Sequence, residues 1–79
     1  AGRSSAQVVS VGPENAFVVL NYGSARGATL DQRFAVRSGS ELIASVRISD
    51  VRSQFSIAQV EPDSLRGVLH KGDLAILTP

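Results

Sequence analysis

The sequence contains no cysteine, no methionine and no tryptophan, and it has a single histidine. Without cysteine, the 79-residue chain can form neither a disulfide framework nor a thiolate metal site. Its longest apolar run, from Ala16 to Leu20, is far shorter than the ~20 residues that a membrane-spanning helix needs. No basic, apolar and small-residue series marks a signal peptide. The chain does not begin with methionine, so we expect a fragment of a longer protein.

Charged residues of either sign are also few. Eight basic and seven acidic residues give a net charge of +1, which neither requires nor excludes nucleic acid as a partner. Seven of the eight basic residues are arginine. This bias is typical of surfaces that recognise anions or protein partners, because a planar guanidinium binds them better than an ammonium. It is also what a GC-rich genome produces.

The composition favours β structure, because ten valines and four isoleucines fit a pleated strand and lose rotamer freedom in a helix. Residues 1–6 predict a disordered arm, since they contain no apolar side chain larger than alanine. Residues 7–79 are expected to form a single domain. Strands are predicted at residues 7–11, 16–21, 33–37, 41–49, 54–61 and 73–78, with a short turn of helix at 63–68. This pattern predicts an all-β fold, a small closed or nearly closed barrel of six or seven strands.

The alternation of apolar and polar residues predicts which side chains face the barrel interior. Between the third and fourth strands, a three-residue turn at 38–40 pairs Val36 with Leu42 and keeps both inside. A two-residue turn at Gly39-Ser40 would join opposite faces, so we expect the longer turn. The apolar positions of residues 54–61 change parity, which predicts a β-bulge there. The predicted core is Val9, Val11, Phe17, Val19, Phe34, Val36, Leu42, Val46, Ile48, Phe55, Val60, Leu74 and Ile76.

A shift of forty residues aligns Ser-Ala-Arg-Gly-Ala at 24–28 with Ser-Leu-Arg-Gly-Val at 64–68, and residues 34–36 with 74–76. The shift is half the chain length and therefore indicates a barrel of two similar halves. Arg26 and Arg66 are then expected in equivalent loops. Each arginine either bonds to backbone carbonyls of its own loop or points outward as an anchor for a partner.

The segment from Gly67 to Leu74 resembles the turn of cradle-loop barrels, in which a glycine–aspartate pair starts a strand. The first half carries Asp31-Gln32 at that place. Over residues 8–77 the chain also resembles small all-β modules at the C-termini of bacterial envelope proteins, such as the flagellar assembly protein T family. The shared features are an apolar strand ending in Asn21, Gly23 and Gly27, the Arg33-Phe34 strand, and Gly72-Asp73. The resemblance implies a non-catalytic adaptor barrel of an exported protein, in the periplasm or cell envelope, and it carries over no ligand site.

The residue pattern supports no catalytic, cofactor or metal site. His70 is the only imidazole and lies beside Lys71 in a polar turn, where a solvated histidine is expected. Ser24 stands one position too early for the nucleophile elbow of a hydrolase, and residues 23–27 lack the lysine of a P-loop. One histidine and scattered carboxylates do not make a zinc ligand set. We therefore expect no enzyme activity, no catalytic residue, no cofactor and no bound metal.

The remaining hypotheses are binding functions. The leading one is a structural or protein-binding module, whose partner is another protein or the remainder of its own chain, with Arg26 and Arg66 among the contacts. The alternative is a nucleic-acid-binding barrel that uses Arg33, Arg37 and Arg47, which share the outward face of the central hairpin. Stacking on bases needs exposed aromatics, and only Tyr22 is expected outside the core. Binding of a small molecule in the barrel mouth has no support beyond the two glycine loops.

Overall fold

Six strands form where the sequence concentrates its β-branched residues. The structure is a computed structural model that describes residues 5–78. The strands are β1 (Ser5–Val11), β2 (Phe17–Leu20), β3 (Arg33–Ser38), β4 (Glu41–Val51), β5 (Ser56–Val60) and β6 (Leu74–Leu77). Single turns of 3₁₀ helix lie in three of the connections, at Pro13–Asn15, Ser24–Arg26 and Pro62–Ser64.

The strands close into a barrel in the order β1-β2-β5-β4-β3-β6, and every pair is antiparallel. Closure is completed by β6, which pairs with β3 on one side and with β1 on the other. Within residues 5–78 no strand edge is left unpaired, which removes the template for edge-to-edge association. The all-β barrel predicted from the sequence is confirmed.

Two predicted boundaries differ from the structure. Strand β1 begins at Ser5, and Ala6 pairs with Ala75, so these two residues belong to the barrel rather than to the expected arm. The rest of that arm, residues 1–4, lies outside the described residues. The helical turn expected at residues 63–68 is instead the shorter 3₁₀ turn Pro62–Ser64, which ends before Leu65 adopts an extended conformation.

The pairing registers relate the two halves of the chain by an approximate two-fold axis. In the β1/β2 pair the partners are Val8↔Leu20, Ser10↔Val19 and Val11↔Val18. In the β4/β5 pair they are Ile48↔Ala58, Asp50↔Ile57 and Val51↔Ser56. The two sets coincide with an offset of 40 residues on the first strand and 38 on the second. Each set skips one residue, Val9 and Ser49, which are therefore equivalent β-bulges.

The turns that precede β3 and β6 repeat the same hydrogen bonds with an offset of 41. The backbone N–H of Thr29 donates to Gln32 Oε1 at 2.9 Å, and that of His70 donates to Asp73 Oδ2 at 2.9 Å. The intervening Asp31 and Gly72 both have positive φ, 69° and 96°. Because this conformation favours glycine, Gly72 suits its turn better than Asp31 does. The Gly72-Asp73 and Asp31-Gln32 turns noted in the sequence are thus structural equivalents.

The barrel interior is filled by large and small side chains in alternation, as is usual in narrow barrels. Phe34 is fully buried in the same core cluster as the small residues Ala44, Ala58 and Ala75. Of the predicted core, Phe34, Val36, Val46, Ile48 and Val60 are buried. Val11, Phe17, Val19 and Ile76 are half-buried. The assignment is wrong for Val9, Leu42, Phe55 and Leu74, which are 40–47% exposed.

The errors have local causes. In β1, β2 and β6 both faces carry apolar residues, so the sequence pattern does not distinguish them, and the interior positions are Val8, Val18, Leu20 and Ala75. In β5 the interior positions keep one parity from Ser56 to Val60. Phe55 lies before the strand begins, and the expected bulge lies on the neighbouring strand, at Ser49.

The hairpin between β3 and β4 uses the two-residue turn that alternation disfavoured. Arg37 pairs with Leu42, and Gly39 has a φ of 65°, which suits the first central position of a type II′ turn. A register shift beside Val36 leaves Ile43 as an extra residue, so that Val36 pairs with Ala44 rather than with Leu42. This bulge restores the interior parity and turns Leu42 outward, and beyond it Arg47 lies opposite Arg33.

Truncation of Phe34 to alanine should lower the free energy of unfolding by ~3–5 kcal/mol, because it removes a buried ring and leaves a cavity. Phe55→Ala, at a side chain 41% exposed, is the matched control and should cost less than ~1 kcal/mol. Urea denaturation of both variants measures the difference. Equal losses at the two positions would contradict the assignment of the interior.

One interior position carries an unsatisfied polar group. Ser56 is fully buried and its hydroxyl has no hydrogen-bond partner. Its symmetry equivalent in the other half is Val18, which is also fully buried. A buried hydroxyl without a partner destabilises the folded state by its lost hydration.

Ser56→Ala should therefore raise the free energy of unfolding by about 1 kcal/mol. The contrasting variant is Ser64→Ala, since the hydroxyl of Ser64 accepts from the Ser45 N–H at 2.8 Å and lies 2.6 Å from the Glu61 carbonyl oxygen. That variant should lose about 1 kcal/mol or more. Thermal and urea denaturation measure the direction of the stability change in each variant. A Ser56→Ala protein less stable than wild type would refute the expectation.

Candidate functional site

An exposed surface of mixed apolar and cationic character covers the outside of β4, β3 and β6. Arg37 pairs with Leu42 on one side and with Leu74 on the other, so a row of leucine, arginine and leucine crosses three strands. Leu42 is 47% and Leu74 40% exposed. Side chains that are directly opposite on neighbouring strands lie about 4.5–5.5 Å apart at Cβ, so the three form one patch.

A second row on the same face is cationic. Arg33 lies directly opposite Arg47, and between the two rows lie Ala35 and its partner Ile76. We refer to Arg33, Arg37, Leu42, Arg47 and Leu74 as the arginine–leucine face. The structure thus brings together the three arginines that the sequence placed on one face. The two leucines were missed because alternation assigned them to the core. The outward position of Leu42 follows from the two-residue turn and the bulge at Ile43.

The cations of this face are weakly neutralised. Arg33 Nη2 lies 4.0 Å from Glu61 Oε2, with the two side chains 55% and 35% exposed. Such a long, solvated ion pair contributes little to stability. Within residues 5–78, neither Arg37 nor Arg47 forms an ion pair. The face therefore presents guanidinium groups whose hydrogen-bonding capacity is largely available to a partner.

Aromatic side chains are absent from the arginine–leucine face. Tyr22 is only 3% exposed and its ring packs edge-on against Phe34 at 5.4 Å between centroids. Phe17 is half-buried, and the more exposed Phe55 precedes β5 in the loop after Val51. The only stacking platform that the sequence offered, Tyr22, is therefore inside the barrel.

Arg26 has a structural role in its own half. Its guanidinium donates from Nη1 to the carbonyl of Asn21 at 3.1 Å and from Nη2 to the carbonyl of Ser5 at 3.2 Å. It also lies over the ring of Tyr22, 5.4 Å from the centroid, at a distance typical of a cation–π contact. These bonds tie the loop after β2 to the start of β1.

Arg66 is placed differently. Arg26 and Arg66 lie in equivalent loops, as expected, between β2 and β3 and between β5 and β6. Within these loops the 3₁₀ turns Ser24–Arg26 and Pro62–Ser64 are equivalent at an offset of 38, so the residue that corresponds to Arg26 is Ser64 rather than Arg66. Ser64 Oγ lies 3.2 Å from the carbonyl oxygen of Ser45, which is the counterpart of Ser5. The exposed side chain of Arg66 makes no hydrogen bond within residues 5–78, although its backbone N–H donates to Ile43 at 2.7 Å.

Arg26→Ala should therefore lower the free energy of unfolding by about 1–2 kcal/mol, because two carbonyls lose a charged donor and Tyr22 loses its cation. Arg66→Ala should change it by less than ~0.5 kcal/mol. The comparison needs only thermal denaturation of the two variants. A larger loss in Arg66→Ala than in Arg26→Ala would contradict the assignment of the carbonyl-binding role to Arg26.

A cleft of about 530 Å³ opens next to the cationic row. Its lining comes from the end of β5 and the 3₁₀ turn that follows, with one wall from β4: Arg47, Gln59, Val60, Glu61, Pro62, Asp63 and Ser64. Ser64 is fixed by its bonds to Ser45 on β4 and to Glu61. This second feature was not foreseen from the sequence, since it depends on the pairing of β4 with β5.

The described residues bring no catalytic set together. His70 is exposed in its turn, its backbone N–H donates to Asp73 Oδ2 and its carbonyl accepts from the Asp73 N–H, and its imidazole forms no hydrogen bond within residues 5–78. Within residues 5–78 no three histidine or carboxylate side chains converge in a way that could hold a metal ion. The backbone N–H groups of residues 24–27 all donate to carbonyls of the protein, so this loop does not offer them to a phosphate. Gly27 has a positive φ of 99°, and Gly23 allows close contact with the Arg52 and Ser53 carbonyls.

In comparisons with known proteins, no protein-family model, no curated protein and no solved structure matches the chain. Among residues 5–78 there is also no helix with the length and apolar character needed to cross a bilayer.

Proposed function

We propose that the protein is a non-catalytic interaction module that binds a protein partner through the arginine–leucine face. The observation that carries this proposal is the row formed by Leu42, Arg37 and Leu74, which exposes two large apolar side chains on either side of a guanidinium that forms no ion pair within residues 5–78. Protein interfaces combine an apolar centre with arginine, which is enriched among the residues that dominate binding energy. The partner surface would supply apolar contacts to the leucines and carboxylates to the arginines.

The closed barrel limits how such a partner binds. A free strand edge would allow an extended segment to add to the sheet, but within residues 5–78 every strand is paired on both sides. The partner must therefore contact side chains on the outer face of β4, β3 and β6. This favours a folded surface, or a segment lying across the strands, over strand addition.

Nucleic acid is the less favoured partner for the same face. Two arginines in adjacent positions, Arg33 and Arg47, would suit phosphate groups. Small barrels that bind single strands also rely on aromatic side chains that stack with bases. The arginine–leucine face carries leucines instead of aromatic residues. An arginine flanked by apolar aliphatic side chains is more typical of protein recognition.

The module would belong to a larger exported protein of the bacterial envelope. This part of the proposal is supported by the resemblance of residues 8–77 to C-terminal modules of envelope proteins such as the flagellar assembly protein T family. In that setting the partner is another envelope protein or another part of the same chain. Neither arrangement needs a cofactor.

The test is site-specific photo-crosslinking in the intact protein, with a photoreactive amino acid at position 74 and, as a control, at position 54. Gln54 is exposed but lies in the loop between β4 and β5, away from the face. We expect one discrete product from position 74 and none from position 54. Arg37→Glu should reduce that product at least about tenfold, since loss of an anchoring arginine commonly costs 2 kcal/mol or more. Arg52→Glu, which reverses an exposed arginine of that loop, should leave it unchanged.

Products of equal yield from both positions, or a yield unaffected by Arg37→Glu, would overturn the proposal. A titration of mixed-sequence single-stranded oligonucleotides at ~50 mM salt addresses the nucleic-acid alternative. Binding that weakens steeply as salt is added, and that is lost in Arg37→Glu, would replace the protein partner with nucleic acid.

A further inference from the structure

Charged residues are distributed unevenly around the barrel. Strands β1, β2 and β5 contain no aspartate, glutamate, lysine or arginine, whereas β3 and β4 together contain three arginines and two carboxylates. Because β1, β2 and β5 are consecutive in the barrel order, their outer sides form one continuous surface without charge. This surface takes up three of the six strands and lies opposite the arginine–leucine face of β4, β3 and β6.

The middle of the uncharged surface is apolar. Val19 on β2 pairs with Ile57 on β5. Both point outward, because side chains alternate along a strand and the next positions, Val18 and Ala58, are fully buried. Beside them Val9, the bulge residue of β1, is 40% exposed. Contiguous exposed apolar surface of this kind marks a place where another surface binds.

Two phenylalanines flank this pair at diagonally opposite corners. Phe17 lies opposite Gln59, and the same register continued by two residues beyond Val19 brings Phe55 opposite Asn21. The phenylalanines are equivalent in the two halves, since the carbonyl of each accepts a backbone N–H from the preceding turn at 2.8 Å. We refer to the outward apolar residues of this surface as the apolar face: Val9, Phe17, Val19, Phe55 and Ile57.

The other two corners carry amide side chains that are held against neighbouring strands. The side-chain oxygen of Asn21 accepts from the backbone N–H of Gln7 at 2.8 Å. The amide of Gln59 donates to Ser49 Oγ at 3.1 Å. Large aromatic side chains therefore occupy one diagonal of the apolar face, and smaller side chains with restrained positions occupy the other.

This arrangement is complementary to itself. A two-fold axis that lies in the plane of contact, parallel to the strands, turns the face over onto its own copy and exchanges the two diagonals. Phe17 of one copy then lies over Gln59 of the other, and the two Val19–Ile57 pairs meet at the centre. Such isologous contacts, in which the same patch of two subunits meets across a two-fold axis, are the commonest in protein oligomers.

Area and charge also suit a second copy. A specific interface takes at least about 500 Å² from each partner. One copy exposes 4792 Å², so the contact requires roughly a tenth of its surface, and the uncharged surface spans half of the strands. Two such surfaces bring no like charges together, whereas a charged partner would find no counter-charge on β1, β2 or β5.

We propose that the apolar face is the interface of a homodimer. The proposal does not depend on the arginine–leucine face, which lies on the other side of each barrel and stays exposed. The dimer presents two arginine–leucine faces that point away from each other. A partner with two matching surfaces would therefore bind the dimer with avidity rather than with the affinity of one face.

The test is sedimentation velocity of the protein over concentrations from about 1 μM to about 1 mM. We expect the average mass to rise from 8.3 kDa toward twice that value. The dissociation constant should be on the order of 10–100 μM, since the contact area is at the low end for specific interfaces. A protein that stays monomeric throughout this range would overturn the proposal and leave the apolar face to a different partner.

Val9→Lys and Leu74→Lys are matched variants, because both side chains are 40% exposed and they lie on opposite faces. Val9→Lys should raise the dissociation constant of the dimer at least about tenfold, since association would bury an unpaired ammonium group. Phe55→Lys, at an exposed position before β5, should have the same effect. Leu74→Lys should leave the constant unchanged. Circular dichroism verifies that each variant is folded.

A dimer that persists in both Val9→Lys and Phe55→Lys, or that is lost in Leu74→Lys, would overturn the proposal. Crosslinking from position 74 is carried out well below the dissociation constant of the dimer, so that its control at position 54, next to Phe55, does not meet a second copy. The two tests therefore fail separately: a monomer leaves the product from position 74 intact, and absence of that product leaves the dimer intact.

Discussion

The pairing of each half of the chain with the other is the constraint on which the structure depends. Only two of the six strand pairs, β1/β2 and β4/β5, lie within a half, and the remaining four join the halves. Neither half can satisfy its own backbone groups, so the fold forms as one unit or not at all. Closure also removes every strand edge among residues 5–78 and leaves the outer faces of the strands and the loops at the two ends as the accessible surface.

The sequence predicted the strands well because their β-branched composition and the glycine and proline residues between them are local signals. It predicted the inward face correctly for β3 and for β4 beyond its bulge, where the large apolar residues Phe34 and Val46 alternate with polar or small neighbours. It failed in β2 and β6, whose consecutive apolar residues allow either face to be inside. The outward turn of Leu42 and the cleft beside Ser64 could not be predicted, since both follow from registers and bulges that depend on long-range pairing. The forty-residue shift indicated the symmetry of the halves but not their alignment, which varies between strands.

The halves agree in backbone and differ in side chains, and the differences are complementary. Where the first half places Leu20 and Phe34 inside, the second places Ala58 and Ala75. Large residues of one half thus fill space left by small residues of the other. The same divergence on the surface separates Arg26, whose carbonyl bonds stabilise the barrel, from Ser64, beside which the cleft stays open.

The two-residue turn at Gly39-Ser40 has a consequence for the order of the chain. It joins β3 to β4, and the two-fold axis relates that junction to the neighbouring ends of β6 and β1, which run antiparallel side by side. A link from β6 to β1 would join two antiparallel neighbours, as the existing turn joins β3 to β4. The barrel is thus compatible with circular permutation: a chain that begins at β4 and ends at β3 retains every strand pair, and the linear order of the halves is a property of the gene rather than of the fold.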